Sequence, residues 1–193
     1  MHSKISSKIF IITGPSGVGK DTVMRHLERF NLPLKRVTTT TSRPMRPNES
    51  QGNPYHFVNE NEFQAMVERG EFAEHAKVFN SYKGITKVEL NNVLESGKSV
   101  LLQTDYQGAR TIKRHYPEAR VLVIEPPSIQ ILNQRLRSRG DKQADELKKR
   151  IEQNANWRQH YAEFEHFVSN PDGHPELAAE EIAQIVSEEL GDK

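Results

Sequence analysis

The sequence contains no cysteine among its 193 residues. Disulfide bonds, thiolate catalysis and cysteine-based zinc sites are therefore excluded. The chain also lacks any apolar run near the roughly 18 residues that a membrane-spanning helix needs, and no signal-type segment precedes its first predicted strand. We therefore expect a cytoplasmic protein with no membrane partner.

The chain also has no large excess of positive or negative charge. It contains 27 basic and 26 acidic residues, and its net charge is +1. Such a balance argues against a general polyanion binder. The most basic run, 135–142, has no interleaved aromatic residue. We therefore expect no nucleic-acid partner, and any basic site must be local.

Predicted strands and helices alternate along most of the chain. Apolar runs that are typical of buried parallel strands lie at 9–13, 100–102, 121–124 and 167–169. Helical patterns lie at 20–30, 61–68, 87–95, 128–139, 145–161 and 175–190, and further extended segments at 37–41, 55–58 and 72–78. This order predicts an α/β fold in which a parallel sheet is flanked by helices. The block 37–95, which is dense in turns and short strands, is interpreted as an insertion beside that sheet.

A glycine-rich loop directly follows the first predicted strand and opens into a helix. Its residues are Gly14, Pro15, Ser16, Gly17, Val18, Gly19, Lys20, Asp21 and Thr22. The glycines allow several backbone N–H groups to converge, the helix adds its positive dipole end and Lys20 adds an ammonium group. The pattern predicts a phosphate-binding loop for a nucleoside triphosphate, and the alternative is a flexible turn with a chance lysine. Asp21 stands where a serine or threonine hydroxyl normally meets Mg²⁺.

A second polar group lies in the predicted insertion. A row of threonines and Ser42 precedes Arg43 and Arg46, and Tyr55 follows after a turn-rich loop. Two arginines three residues apart, beside hydroxyl groups, can bind a second phosphate in bidentate fashion. By itself this composition is equally compatible with a solvated loop, but its presence beside a phosphate loop favours binding.

Together these stretches resemble the guanylate kinase family almost from end to end. The matching segments are the phosphate loop, 40–47 with 55–58, 72–79, 105–109 and 135–140. The resemblance implies one domain, 1–193, with a P-loop NTPase-type parallel sheet, an inserted β-rich subdomain that binds the nucleoside monophosphate and a short helical lid. The core would be 1–36 and 96–193, the insertion 37–95 and the lid about 136–150. It also implies transfer of a phosphoryl group from ATP to GMP with Mg²⁺, in purine nucleotide metabolism, with the small molecules ATP and GMP as partners.

The resemblance also implies an acceptor site. By position, Arg43, Arg46 and Tyr55 resemble ligands of the acceptor phosphate, and Asp105 is expected in the same site. Thr39 resembles a hydroxyl that reads the base. Glu74 resembles the carboxylate that accepts from guanine N1 and N2, and its alternative is a surface acid beside Glu71. A carboxylate that faces two N–H donors selects guanine over adenine.

The same resemblance implies a donor site and its catalytic groups. Arg135, Arg139 and Arg150 resemble lid and hinge arginines that close over the triphosphate, although Arg135 and Arg139 also suit a solvated helix face. Asn170 resembles a residue near the adenine, with a turn-forming asparagine before Pro171 as the alternative. The expected catalytic residues are Lys20, Arg43, Arg139 and Arg150, which act by positioning and charge neutralisation.

Three further positions depart from the family pattern. Lys83 stands where a second phosphate-contacting tyrosine is usual, and an ammonium group can still contact a phosphate. Ile85 replaces a hydroxyl-bearing residue that helps to read the base, which puts strict guanine selectivity in question. Gln103 replaces the first acid of an acid-x-acid pair, of which Asp105 remains.

The unusual residues Gln103 and Asp21 form a hypothesis of their own. Loss of a carboxylate at 103 and gain of one at 21 leaves the charge near the phosphate loop unchanged. We hypothesise that Asp21 is the metal-binding residue, either directly or through water. The alternative is that Asp21 only caps the following helix.

Two other functions are weighed beside phosphorylation of GMP or dGMP. Ribose 1,5-bisphosphate kinases are relatives whose phosphate loop also ends in Lys-Asp, and their activity would account for Ile85 and Gln103. Guanylate kinase-like domains also serve as non-catalytic binding modules. Such modules typically lose the phosphate loop, whereas this chain keeps Gly19 and Lys20.

Overall fold

The structure is a computed structural model that describes residues 7–78, 80–138 and 144–191. Its strands are β1 (Ile9–Thr13), β2 (Leu34–Arg36), β3 (Thr39–Thr41), β4 (Ser50–Gln51), β5 (Pro54–Phe57), β6 (Phe72–Val78), β7 (Ser81–Thr86), β8 (Ser99–Gln103), β9 (Arg120–Glu125) and β10 (His166–Ser169). Its helices are α1 (Lys20–Leu27), α2 (Glu60–Glu68), α3 (Lys87–Glu95), α4 (Tyr106–His115), α5 (Ile129–Ser138), α6 (Ala144–Ala155), α7 (Trp157–Tyr161) and α8 (Pro175–Leu190). Over these described ranges, no helix is long and apolar enough to cross a membrane.

The first sheet has five strands in the order β10-β9-β1-β8-β2. β1 pairs in parallel with β9, β9 with β10, and β2 with β8. All five residues of β1 are buried, as are Leu122, Val123 and Ile124 of β9. Continuous apolar runs of this kind belong to parallel strands that helices cover on both faces. The α/β fold predicted from the sequence is therefore confirmed.

The second sheet has the order β4-β5-β3-β7-β6 and mixes both directions. β3 and β4 pair with β5 in parallel, whereas β7 pairs antiparallel with β3 and β6. The ring of Phe63 in α2 stacks on Phe72 at 4.5 Å and on Tyr82 at 5.4 Å between centroids. These aromatic contacts pack α2 against the β6–β7 hairpin.

The chain divides into two compact units. The first unit comprises Met1–Ile9, Leu34–Leu102 and Gln107–Ala119, and the second comprises Phe10–Pro33, Gln103–Tyr106 and Arg120–Lys193. In the second unit α1 packs against α8, with Val23 and Leu27 facing a helix whose small and branched residues Ala179, Ile182 and Val186 are buried.

Two predicted helices differ from the observed ones. The helix predicted over 20–30 ends at Leu27, and a 3₁₀ turn over Glu28–Phe30 follows, which Asn31 closes in a left-handed conformation with φ 46°. The single helix predicted over 145–161 is broken at Asn156 into α6 and α7. The break lets Trp157 and Tyr161 both become buried, so packing of the aromatic rings overrides the helical periodicity.

Some elements were not predicted. The stretch 37–41 was expected as one strand, but the chain pairs at Leu34–Arg36 and again at Thr39–Thr41. β7 was missed because Lys83 and Gly84 interrupt its pattern. A Cβ at Gly84 would lie 2.6 Å from Phe72 Cδ1 and 2.9 Å from the Glu74 carbonyl oxygen, so tertiary packing requires glycine there. α4 was missed because its buried face includes Gly108, which is a poor helix former.

Candidate active site

The glycine-rich loop connects β1 to α1 within the second unit. Gly14 has a φ of 143° and Gly19 a φ of 104°, values that residues with a Cβ rarely adopt. Space is equally restrictive, because a Cβ at Gly14 would lie 2.4 Å from the Ile124 carbonyl oxygen and one at Gly19 would lie 2.6 Å from Asn170 Nδ2. Both conformation and packing therefore demand glycine in this loop.

The N-terminus of α1 is built to receive an anion. Its N-cap is Gly19, which has no side chain to occupy the first-turn N–H groups. Lys20 Nζ lies over the loop and donates to the carbonyl oxygens of Gly14 at 2.7 Å and Pro15 at 3.2 Å. A helix dipole end and an ammonium group thus meet at one loop, the combination that binds phosphate.

Arg135 and Asn170 both donate a hydrogen bond to the same carbonyl oxygen of the loop. Arg135 Nη1 donates to the Val18 oxygen at 3.1 Å and Asn170 Nδ2 donates to it at 2.6 Å. Arg135 Nη2 also contacts Asp172 Oδ1 at 2.8 Å. Asn170 is 3% exposed. Arg135 therefore lies beside the loop rather than on a purely solvated face, and Asn170 does more than form a turn.

Arg150 is joined to the loop by Ser16. Its Nη1 donates to Ser16 Oγ at 2.8 Å, and Asn154 Nδ2 donates to the Ser16 carbonyl oxygen at 2.9 Å. Asn154 is 3% exposed and was missed in the sequence, although its spacing of four from Arg150 places both on one helix face. Arg139 and the part of the predicted lid at 139–143 lie outside the described residues.

Asp21 and Gln103 are in direct contact. Asp21 lies in the first turn of α1, Gln103 ends β8, and Gln103 Nε2 donates to Asp21 Oδ1 at 2.8 Å. The N-cap of α1 is Gly19, so Asp21 is not the N-cap residue. Burial and, to a smaller extent, the charge of Asp105 raise the pKa of the Tyr161 hydroxyl.

In the first unit, Arg43 is held by a carboxylate that the sequence reasoning missed. Arg43 Nη2 donates to Glu49 Oε1 at 2.7 Å and to Oε2 at 2.9 Å, and Arg46 N donates to Oε2 at 2.8 Å. Burial opposes ionisation of Glu49, but these hydrogen bonds and the two arginine charges outweigh it and lower the pKa of the carboxyl group. An acid three residues after Arg46 was the available signal.

Tyr55 lies close to two of the predicted cations. The residue is 9% exposed, and the Arg43 guanidinium carbon lies 5.6 Å and the Lys83 ammonium nitrogen 4.9 Å from the centroid of its ring. Phe57 flanks Arg43 from 5.4 Å. The structure thus brings Arg43, Tyr55 and Lys83 together in one cationic group. The side chain of Arg46, three residues after Arg43, is exposed.

The two residues expected to read the base are both buried polar groups. Thr39 in β3 is 8% exposed and Glu74 in β6 is 4% exposed, and both strands pair with β7. The alternative that Glu74 is a surface acid is therefore wrong. Ile85 lies opposite Glu74 in the hairpin register and is 1% exposed.

The Guanylate kinase family model matches residues 6–189 of the chain. The chain belongs to the guanylate kinase family. Guanylate kinases of Idiomarina loihiensis and of Legionella pneumophila strain Paris are 36% and 37% identical to it, covering 92% and 96% of this chain and 85% and 88% of the relatives. The crystal structure of guanylate kinase from Anaplasma phagocytophilum matches with a TM-score of 0.78 at 26% identity, over 96% of this chain and 87% of that one. The resemblance inferred from the sequence motifs is confirmed.

Proposed function

We propose that the protein is a phosphotransferase that uses ATP to phosphorylate GMP, with dGMP as a second acceptor. The observation that carries the proposal is that one chain of this family holds both a glycine-rich phosphate loop with Lys20 and a cationic group around Arg43. Phosphoryl transfer needs a bound triphosphate and a bound, neutralised acceptor phosphate. The first group supplies the donor site and the second supplies the acceptor site.

At the donor site, the loop Gly14 to Thr22 binds the triphosphate of ATP. The N–H groups at the start of α1 and the ammonium of Lys20 neutralise phosphate oxygens. When ATP binds, Lys20 donates to these phosphate oxygens in place of the carbonyl oxygens of Gly14 and Pro15. Arg135, Arg150 and Asn170 hold the loop through Val18 and Ser16 and lie where they support the bound nucleotide. A role for Arg139 over the transferred phosphoryl group remains a prediction.

At the acceptor site, Arg43, Arg46, Tyr55 and Lys83 bind the phosphate of GMP. Arginine offers five N–H donors in a planar fork that matches a phosphate group. Thr39 and Glu74 read the guanine, because a carboxylate can accept from the two adjacent donors N1–H and N2–H, which guanine offers and adenine does not. Asp105 is assigned to acceptor binding by family position alone.

Mg²⁺ is the metal that the family implies, and the residues present fit it. Among the described residues there is no group of three or more acidic or histidine side chains that could hold a metal. Mg²⁺ does not need one, since it usually keeps several waters and binds through one or two carboxylates plus substrate phosphates. Asp21 supplies such a carboxylate, and Gln103 Oε1 is a buried oxygen with no hydrogen-bond partner in the described part of the chain. When bound, the ion neutralises charge on the phosphate oxygens.

The protein's own contribution to the reaction is positioning and charge neutralisation. Lys20 and the start of α1 offset the charge that develops on the donor phosphates, while Arg43 offsets the charge of the acceptor. Arg150 anchors Ser16, so it fixes the loop conformation in which these groups converge. Preorganised charges of this kind act without reorganisation at the moment of reaction.

One assay tests the proposal. ADP release would be measured with ATP and Mg²⁺ and with GMP, dGMP, AMP, UMP or ribose 1,5-bisphosphate as the acceptor. We expect GMP to be the best acceptor. Preference for ribose 1,5-bisphosphate would overturn the assignment, because that acceptor has no base for Thr39 and Glu74 to read. ATP binding without turnover on any acceptor would instead indicate a binding module.

The predicted organisation of the chain is part of the same proposal. The segment 37–95 would bind the monophosphate and the segment about 136–150 would act as the lid. The first unit contains 37–95 entirely, together with neighbouring residues. Cytoplasmic location also remains a prediction.

A further inference from the structure

The contact between Gln103 and Asp21 joins two positions at which the chain departs from its family's usual motifs. The residues are 82 positions apart, and Gln103 Nε2 donates to Asp21 Oδ1 at 2.8 Å. Hydrogen bonds to an ionised carboxylate are stronger than neutral ones and restrict its orientation. Asp21 belongs to the first turn of α1, directly after Lys20, so the same bond ties the end of β8 to the phosphate loop.

The orientation of the Gln103 amide follows from the chemistry of its partner. A carboxylate oxygen accepts hydrogen bonds, so the amide nitrogen of Gln103 is the end that faces Asp21, and the reverse orientation would oppose two oxygens. A carboxylate at position 103 would have no N–H group to donate and would repel Asp21. The neutral amide at 103 therefore holds the Asp21 carboxylate in one orientation beside the loop.

We propose that Gln103 is a positioning residue for the Mg²⁺–ATP site, acting through Asp21. Its amide fixes the orientation in which the Asp21 carboxylate is offered to the cation. The inference rests on the proposed function, since it names residues of the donor site.

A double-mutant cycle with Asp21→Asn and Gln103→Met tests the inference. Methionine is close to glutamine in length but has no amide. The measured quantity is the Mg²⁺ concentration that half-saturates the thermal stabilisation of the protein by a non-hydrolysable ATP analogue, with no acceptor present. Loss of a group that orients a metal ligand lowers metal affinity about 10–100-fold, so we expect Gln103→Met to raise the half-saturating Mg²⁺ by about tenfold. On the Asp21→Asn background it should add little.

Gln184→Met is the matched control. Gln184 Nε2 donates to Glu188 Oε1 at 2.9 Å on α8, the same type of exposed amide–carboxylate bond as that between Gln103 and Asp21, and its loss should leave the Mg²⁺ response unchanged. Additive effects of the two mutations, or an unchanged Mg²⁺ response in Gln103→Met, would overturn the positioning role. Because this measurement needs no acceptor, its failure is separate from failure of the kinase assignment, which the ADP-release assay decides.

Discussion

Replacement of Glu49 by glutamine tests how the acceptor-phosphate arginine is held. The change keeps the size of the side chain but removes its charge. Glu49 accepts two hydrogen bonds from Arg43 and one from Arg46 N, and the side chains of Arg43 and Glu49 are only 20% and 12% exposed. Solvent therefore screens this pair much less than an ordinary surface ion pair.

The expected loss of stability follows from those contacts. A hydrogen bond to a charged group contributes about 1.5–3 kcal/mol, and glutamine retains one accepting oxygen, so we expect Glu49→Gln to lower the free energy of unfolding by about 1.5–3 kcal/mol. For a chain of this size each kcal/mol corresponds to about 2–4 °C in Tm. Thermal denaturation at neutral pH measures the difference.

The pH dependence of that difference has a definite sign. The pKa of Glu49 is lowered from its ordinary 4.5, so the native state binds its proton less readily than the unfolded chain does. The stabilisation is complete above that ordinary value and is lost as pH falls through the lower native pKa. The gap in Tm between wild type and Glu49→Gln should therefore narrow below pH 4.5.

The same variant should weaken GMP binding. Without Glu49, Arg43 must be immobilised when the phosphate arrives, at about 0.5–1.5 kcal/mol for one side chain, so KM for GMP should rise about twofold to tenfold while KM for ATP stays unchanged. Glu62→Gln is the control, because its ion pair with Arg69 is about half exposed. A pH-independent stability difference, or equal changes in both KM values, would refute the reasoning.

Three further predictions follow from other contacts. Lys20→Ala should lower kcat at least about 100-fold because it removes a charge that neutralises the transferred phosphate. Lys87→Ala, which loses a bond to the Gly70 carbonyl oxygen, should leave kcat unchanged. Similar small losses of kcat in both variants would contradict the role of Lys20. Glu74→Gln should lower kcat/KM for GMP by about 5–150-fold, the equivalent of 1–3 kcal/mol, and should affect AMP less; equal losses would remove Glu74 from base recognition. Gly84→Ala should destabilise the first unit by about 1–3 kcal/mol because the new methyl group would overlap Phe72 and the Glu74 backbone. Denaturant unfolding measures this loss, and an unchanged midpoint would show that the hairpin relaxes without cost.

Features that are carried by contiguous residues could be predicted from the sequence. The run from Gly14 to Thr22 follows an apolar strand and opens a helix, and phosphate binding there depends mainly on local backbone conformation. Buried parallel strands are likewise visible as apolar runs, and β6, α3 and α8 begin and end where the patterns predicted. Arg43, Tyr55 and Glu74 could be named because short motifs carry them.

Which distant side chains contact one another depends on the assembled fold. Asn154 contacts Ser16 across 138 positions, a separation with no period that a sequence pattern could reveal. The closeness of position 103 to the phosphate loop was expected from the sequence, but its hydrogen bond to Asp21, 82 positions away, was not. Burial of Glu74 depends on the strands beside it. The break at Asn156 depends on how the ring of Trp157 packs against other elements. Hydrogen bonds and packing act over a few ångströms in space whatever the separation along the chain, so partners of this kind become fixed only when the strands and helices have assembled.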